Sequence, residues 1–238
     1  MINWSVGFEL IDYAALIFFL FSWVMHYWVV NISPWRVKTI SHHFQLYRHQ
    51  WMNTMIRREV KMPDVLIQNS LHQGVLFFAS TSILVIGALL AGLGSADRAV
   101  AVLNDLMLSH NTTRLEWELK VVLVLLIFTF AFFKFAWAYR LFNYVIIMIG
   151  AAPEADETDE VKAQYADVVA RLHTLCARHF TTGLNAYFFA LCAIAWFLSA
   201  WIFIAATVWV SLVLYRRAFR SEFLSLLRTI PLAQRKPD

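Results

Sequence analysis

The chain has 238 residues, of which 60% are hydrophobic and 16% aromatic, and its formal net charge at pH 7 is +4. Several apolar stretches reach the roughly 20 residues that a helix needs to cross a bilayer core of about 30 Å, which excludes a soluble globular domain. Basic residues beside membrane spans are retained on the cytoplasmic side, so the positive charge does not indicate nucleic acid binding. We predict an all-α fold: one membrane domain over residues 1–238, a polytopic helical bundle with four to five transmembrane helices and a cytoplasmic amphipathic helix.

The first predicted span covers residues 13–30. The sequence before it lacks a basic region and carries Glu9 and Asp12, so we expect this span to be retained and not cleaved as a signal peptide. The second and third predicted spans cover residues 71–94 and 119–141. An acidic loop then precedes a last apolar run over residues 180–217.

The last apolar run raises a question of topology. As one straight helix, residues 184–215 would be about 48 Å long, well over the bilayer core. A hairpin near Ser199-Ala200 instead gives spans at 180–199 and 201–217. It places fifteen basic residues inside and three outside, whereas a single span places nine on each side. The positive-inside rule favours the hairpin, with the N-terminus outside and the C-terminus in the cytoplasm. A tilted or partly re-entrant pair is the alternative.

Residues 35–62 form the predicted amphipathic helix. Its apolar side chains recur at steps of three and four residues, which is the spacing of a helical stripe: Ile40, Phe44, Tyr47, Trp51 and Met55. The basic end of such a helix is attracted to anionic lipid headgroups at the membrane surface. We expect the helix to anchor the bundle at this surface, and a ligand-binding role is the alternative.

A polar stripe follows Pro63. Asp64, Gln68 and His72 stand at i, i+4 and i+8 and therefore share one helix face. Lipid cannot satisfy such groups, so this face must contact protein or a wet cavity. Together with their neighbours they form a predicted cytoplasmic polar cluster of Arg57, Arg58, Glu59, Asp64, Gln68, Asn69 and His72.

The third apolar run, about residues 119–150, contains FAFFKFAWAYRLFNY, in which two cations have no acid nearby. At 100° per residue, Lys134, Trp137, Arg140 and Tyr144 fall within one sector of about 120°. Arg140 can reach the cytoplasmic interface, where Glu59 or Asp64 is its expected partner. The side chain of Lys134 tilts toward its helix N-terminus, away from the nearer interface, so it snorkels poorly. We predict that these four residues line an intramembrane pathway, and structural pairing of the cations is the alternative.

Catalytic and metal-binding motifs give little signal. The sequence has no nucleophile elbow, no P-loop and no HExxH spacing. His26 and His72 are weak candidates for a metal or haem, because each falls near the cytoplasmic end of its span. We predict no cofactor and no catalytic residues, and an enzyme is the less favoured interpretation.

The segment WMNTMIRREVKMPDVLIQNSLHQGVLFFASTSILVIGALLAG resembles a family of small bacterial and plant multipass membrane proteins catalogued as domain of unknown function five-nine-nine. The resemblance extends over about 8–225, including FAFFKFAWAYRLFNY and HFTTGLNAYFFALCAIAWFLSAWIFIAATVWVSLVLYRRAFRS. In the family pattern an arginine often stands where this chain has Asn185, and a proline where it has Ala200. The resemblance implies a membrane protein, here in the bacterial inner membrane, and transfers no activity.

Three functions are compatible with the sequence. The first is a homo-oligomeric channel- or transporter-like protein for a small solute or anion. The second is a non-catalytic accessory or scaffold subunit that binds a membrane protein partner or anionic lipid. The third is a haem- or metal-dependent membrane enzyme. The expected partners are the lipid bilayer, anionic headgroups and further copies of the chain, and no nucleic acid.

Overall fold

The computed structural model describes residues 8–104, 113–154 and 156–229. Within these ranges the structure is all-α, as predicted, and contains no strand. The described ranges contain eight α-helices, and a 3₁₀ turn, Pro34–Lys38, precedes the second of them. The helices are α1 (Leu10–Asn31), α2 (Ile40–Ile56), α3 (Met62–Gly94), α4 (Ala96–Asn104), α5 (Arg114–Gly150), α6 (Asp159–Ala195), α7 (Ala200–Phe219) and α8 (Glu222–Thr229).

Four stretches of the described chain are long and apolar enough to cross a membrane: α1, α3, α5 and Ala200–Leu227. This confirms the helical membrane bundle and indicates a membrane location. The helix α6 is not among the four, although it has 37 residues. It packs against α2, α5 and α7, so neighbouring helices and not lipid cover much of its surface. A helix enclosed in this way tolerates the polar residues that α6 carries.

The basic segment is more broken than the predicted single helix over 35–62. Thr39 caps α2, because its side chain accepts a hydrogen bond from the backbone N–H of His42. Arg57 ends the helix, and α3 begins at Met62 with Pro63 in its first turn, a position where proline is tolerated. Met52 and Met55 are fully buried, so α2 packs on the bundle through this end.

The helices α5 and α6 pack tightly against each other at Gly183. A Cβ placed on Gly183 would lie 2.5 Å from the Phe135 ring, so only glycine allows this approach. Phe135 is fully buried among the rings of Phe78, Phe180 and Tyr187. Gly87 of α3 is different, because a Cβ placed there would meet no heavy atom of the described residues within 4 Å.

The chain turns at residues 196–199, between α6 and α7, next to the expected Ser199-Ala200 junction. Trp196 stacks on Phe203 across the turn, and its Nε1 donates a 2.7 Å hydrogen bond to Asp12. Phe19 of α1 contacts Phe203, while Val30 and Arg217 line one cavity farther along. Therefore α1 and α7 run parallel. The first residues of α1 and the last residues of α7 lie at opposite ends of the bundle.

Candidate functional site

The predicted pathway face on α5 lies on the outside of the single chain. Trp137 is 46% exposed and Tyr144 39% exposed. The Nζ of Lys134 lies 5.1 Å from the centre of the Phe130 ring, one turn toward the helix N-terminus. Arg140 donates from Nε to the Tyr144 hydroxyl at 2.7 Å. The prediction that Glu59 or Asp64 is the partner of Arg140 is therefore wrong, because a tyrosine of the same helix accepts the hydrogen bond that Arg140 donates.

The polar stripe of α3 points into the protein at its first two positions. Asp64 and Gln68 are fully buried. The Asp64 Oδ1 atom accepts two hydrogen bonds, at 2.6 Å from Arg58 Nη1 and at 2.7 Å from Trp51 Nε1. Since Arg58 supplies the opposite charge, the buried carboxylate is compensated.

Two histidines extend this region. The ring of His72 stacks on Tyr139 with 4.0 Å between centroids, and His173 of α6 lies edge-on to Trp51 at 5.4 Å. Burial lowers the pKa of His173 to about 3, and the positive charge of Arg48 contributes. His173 is therefore neutral at physiological pH. The buried polar cluster is defined here as Trp51, Arg58, Asp64, Gln68, His72 and His173.

Several atoms of the buried polar cluster have no hydrogen-bond partner among the described residues: Asp64 Oδ2, both amide atoms of Gln68, His72 Nε2 and both ring nitrogens of His173. Buried polar groups in folded proteins are nearly always hydrogen-bonded, and buried water is a common partner. The remaining members of the predicted cytoplasmic cluster, Arg57, Glu59 and Asn69, are exposed or only partly covered and stand outside this buried group.

The two weak metal candidates have different surroundings. His26 of α1 lies 3.2 Å from the amide nitrogen of Asn185 and near Phe189, whereas His72 contacts Tyr139. In the part of the chain that the structure describes, no group of three or more His, Cys, Asp or Glu side chains is arranged to hold a metal ion.

A cavity of about 350 Å³ lies between the end of α1, the 3₁₀ turn, α2 and α6. We call it the basic cavity, because among the described residues three arginines and no acid line it: Arg36, Arg48 and Arg178. Its other walls are mostly polar, and they carry hydroxyl, imidazole and amide groups: Asn31, Thr39, Ser41, His42, Gln45, Thr174, Thr181, Thr182 and Asn185.

The three arginines differ in their surroundings. The guanidinium carbon of Arg48, which is partly buried, lies 5.9 Å from the centre of the Phe44 ring. Burial lowers the pKa of Arg48 to about 10, which leaves the side chain charged at neutral pH. Among the described residues none of the three forms a salt bridge. By contrast, Arg171, which lies on α6 as Arg178 does, pairs with Asp167 at 2.7 Å.

The electrostatic potential of the basic cavity is therefore positive. Burial and the nearby charges of His43 and Arg36 lower the pKa of His42 below its ordinary value. The first turn of α2 also borders the cavity through Ser41 and His42, and a helix N-terminus carries a partial positive charge. Such an arrangement is suited to an anion, because uncompensated arginines bind carboxylate and phosphate groups through paired N–H donors.

Sequence reasoning missed this cavity. Taken singly, Arg36, Arg48 and Arg178 are topology signals beside membrane spans, and nothing in their spacing brings them together. Arg48 did offer a signal: it lies four residues after Phe44 and four before Met52, on the packed side of α2. A cation at that position must contact a polar partner or a cavity.

A family described as "Protein of unknown function, DUF599" matches residues 14–223 of the chain. No curated protein and no solved structure matches the chain. The family match covers the helices that build the basic cavity and those that build the buried polar cluster.

Proposed function

The chain belongs to the DUF599 family, and we propose that it binds a small anion in the basic cavity and moves it across a membrane. One observation carries the proposal: Arg36, Arg48 and Arg178 line a single cavity, and no acid stands in its walls in the part of the chain that the structure describes. Like charges around one cavity repel one another, and a bound counter-charge relieves this repulsion. An anion with several oxygen atoms supplies that charge and accepts hydrogen bonds from the guanidinium groups.

The proposed route continues toward Lys134. His179 lies within electrostatic reach of both Arg178, at the basic cavity, and Lys134 on α5. The ring of His179 also lies 6.4 Å from that of Trp137, so this residue stands between the basic cavity and the face that carries Lys134, Trp137, Arg140 and Tyr144. This face is exposed in the single chain, and we propose that a second copy covers it, so that a homo-oligomer encloses the route.

We also propose an orientation: a bacterial inner membrane, with the N-terminus outside and the C-terminus in the cytoplasm. The excess of basic residues on the α2 side supports it. The basic cavity would then open to the cytoplasm. Fusions of alkaline phosphatase, which is active only outside the cytoplasm, test this: activity is expected from an N-terminal fusion and none from a C-terminal one. The reverse pattern would contradict the orientation.

Binding is tested with sulfate, because its charge does not change near neutral pH. Isothermal titration of the purified protein is expected to show sulfate binding that Arg178→Gln weakens about tenfold, since one charge-assisted contact is lost. Arg171→Gln is the matched control: it removes the same charge from the same helix, at a side chain that pairs with Asp167. No sulfate binding by the wild type, or equal losses in both variants, would overturn the site.

Transport is tested separately in proteoliposomes loaded with a panel of anions. Efflux above that of protein-free liposomes is expected, with a reduction in Lys134→Ala/Arg140→Ala. If the protein binds sulfate but no tested anion moves faster than through empty liposomes, binding stands and transport is rejected. A protein that co-purifies in stoichiometric amount would then point to the accessory role.

A further inference from the structure

A second cavity of about 270 Å³ adjoins the basic cavity, between α1, α2, α6 and α7. The two share part of their lining, including Thr39, Arg48 and Asn185, so they lie side by side, and together they are called the joined space. Their other walls differ in chemistry. Among the residues that the structure describes, apolar side chains make up half of the second lining, whereas the basic cavity has two apolar residues, Val30 and Ala177.

We propose that this joined space binds an amphiphile with a phosphate headgroup and an alkyl chain, that is, a lipid phosphate. The inference rests on the proposed function and assigns the class of anion. The phosphate lies in the basic cavity, and the first part of the alkyl chain lies in the second cavity. Arg48 lines both and stands where the two parts of such a molecule meet.

The headgroup end provides the donors that a phosphate requires. Arg36 approaches from the 3₁₀ turn, Arg48 from α2 and Arg178 from α6. Guanidinium groups donate paired hydrogen bonds to phosphate oxygens. Three of them on three different elements can surround a tetrahedral group from several sides. Arg217, at the second cavity, adds a fourth positive charge near the same place.

The chain end has the surface that an alkyl group requires. Phe44, Phe180, Leu184 and Leu214 line it, and they come from three helices. Leu214 is only 3% exposed. A free inorganic anion would contact none of this apolar surface. A molecule with an alkyl chain removes the remainder of it from water, which is favourable in proportion to the area buried.

The position of the joined space agrees with a ligand drawn from a bilayer. It lies where two candidate spans come together, at Val30 and Asn31 of α1 and at Arg217 and Ala218 of α7. Phosphate groups of lipids lie at the same depth, at the boundary between the hydrocarbon core and water. The headgroup can therefore enter the basic cavity while the far end of its alkyl chain stays in the membrane.

The experiment compares three probes on protein reconstituted in nanodiscs of neutral phosphatidylcholine. Lysophosphatidic acid has both parts, glycerol 3-phosphate has only the headgroup, and lysophosphatidylcholine has the chain with no net charge. Native mass spectrometry measures the bound fraction of each. We expect lysophosphatidic acid to bind about tenfold tighter than glycerol 3-phosphate, because a few buried methylene groups supply that factor. Lysophosphatidylcholine is expected to bind more weakly than lysophosphatidic acid.

Variants separate the two ends of the site. Arg48→Gln is expected to weaken lysophosphatidic acid and glycerol 3-phosphate alike. Leu184→Asn is expected to weaken only lysophosphatidic acid, because it alters the apolar wall. Leu191→Asn is the matched control, since Leu191 lies on the same helix, is 60% exposed and lines neither cavity.

The outcomes distinguish this inference from the proposed function. If glycerol 3-phosphate and sulfate bind as tightly as lysophosphatidic acid, the amphiphile is rejected and the small-anion site stands. Lysophosphatidylcholine carries a phosphodiester without net charge, so if it binds as tightly as lysophosphatidic acid, the anionic phosphate monoester is not recognised and the inference fails. If neither sulfate nor any phosphate probe binds, the proposed function fails as well.

Discussion

The basic cavity and the buried polar cluster both draw on the helices α2 and α6, but they treat charge in opposite ways. In the buried polar cluster, Asp64 is fully buried and held 2.6 Å from Arg58. In the basic cavity, no acid of the described ranges lines the walls beside Arg36, Arg48 and Arg178. Compensated charge holds elements of a fold together, whereas uncompensated charge opposes folding and favours a ligand. The cluster is therefore expected to govern stability, and the cavity to govern binding.

The strongest test of this comparison is Asp64→Ala. It removes the acceptor of Trp51 and the partner of Arg58, and breaking a buried pair costs about 3–5 kcal/mol. Since the Arg58 side chain is 42% exposed, we expect a loss of unfolding free energy of about 3 kcal/mol. Thermal unfolding in detergent measures it, while sulfate affinity of the folded fraction stays unchanged.

Glu59→Ala is the control for this substitution. Glu59 lies in the same connection between α2 and α3 but is exposed, and surface substitutions of this kind change stability by about 0.5 kcal/mol or less. If Asp64→Ala unfolds at the wild-type temperature, the cluster does not stabilise the bundle. If it abolishes sulfate binding without unfolding the protein, the two regions are not separate.

The opposite behaviour is expected from Arg48→Met. The side chain keeps most of its length and loses its charge, so sulfate affinity should fall roughly 10- to 100-fold, as for loss of a hydrogen bond to a charged group. The melting temperature should stay the same or rise, because the substitution removes a positive charge that no acidic side chain compensates. Arg57→Met, at the exposed end of α2, is the control. A large loss of stability without loss of binding would reverse the roles of the two regions.

The pH dependence of stability sharpens the comparison through His173. Its pKa in the folded protein is about 3, well below the value of about 6.5 expected in the unfolded chain. Below pH 6.5, the unfolded state therefore binds more protons than the folded state, in which His173 stays neutral. The free energy of unfolding consequently decreases as the pH falls from 6.5 toward 3. For this single group, the decrease in the free energy of unfolding approaches about 1.4 kcal/mol per pH unit. Melting temperatures between pH 7 and 4 should fall less in His173→Gln, and equal slopes in both proteins would contradict this account.

The smallest expected effect concerns His42 at the basic cavity. Four groups near it carry or can acquire positive charge: His43 and Arg48 on α2, Arg36 on the 3₁₀ turn and Arg178 on α6. A bound anion favours protonated His42, so binding takes up a proton and tightens as the pH falls. Sulfate affinity is expected to rise about threefold between pH 7.5 and 5.5, and this rise should disappear in His42→Gln. A rise that persists in the variant would assign it to another group.

The polar stripe of α3 illustrates how far helical periodicity can lead. The spacing of Asp64, Gln68 and His72 predicts one shared face that lipid cannot cover, and the first two residues are fully buried. The same spacing cannot identify Trp51 and His173 as neighbours, because they come from other helices. Nor does it separate Asp64 from Glu59, which is exposed. Burial depends on what packs against a helix, and periodicity does not contain that information.

The face with Lys134 and Arg140 shows the same limit. Helix geometry correctly turns the side chain of Lys134 toward the helix N-terminus, where it meets Phe130. The partner of Arg140 could not be predicted, because Tyr144 one turn away and the acids before α3 were all compatible with the sequence. Only the relative placement of the helices decides between a local and a distant acceptor.

The sequence by itself determined the class of the protein, because the length and hydropathy of a span and the period of a helix are local properties of the chain. It also determined where polar residues had to avoid lipid. The tertiary structure alone decided that Arg36, Arg48 and Arg178 share one cavity, and that an apolar wall adjoins it. These residues stand on three separate elements, and their charges add only where packing brings the elements together. Local physical chemistry fixes each helix, while the cavity depends on how distant helices meet.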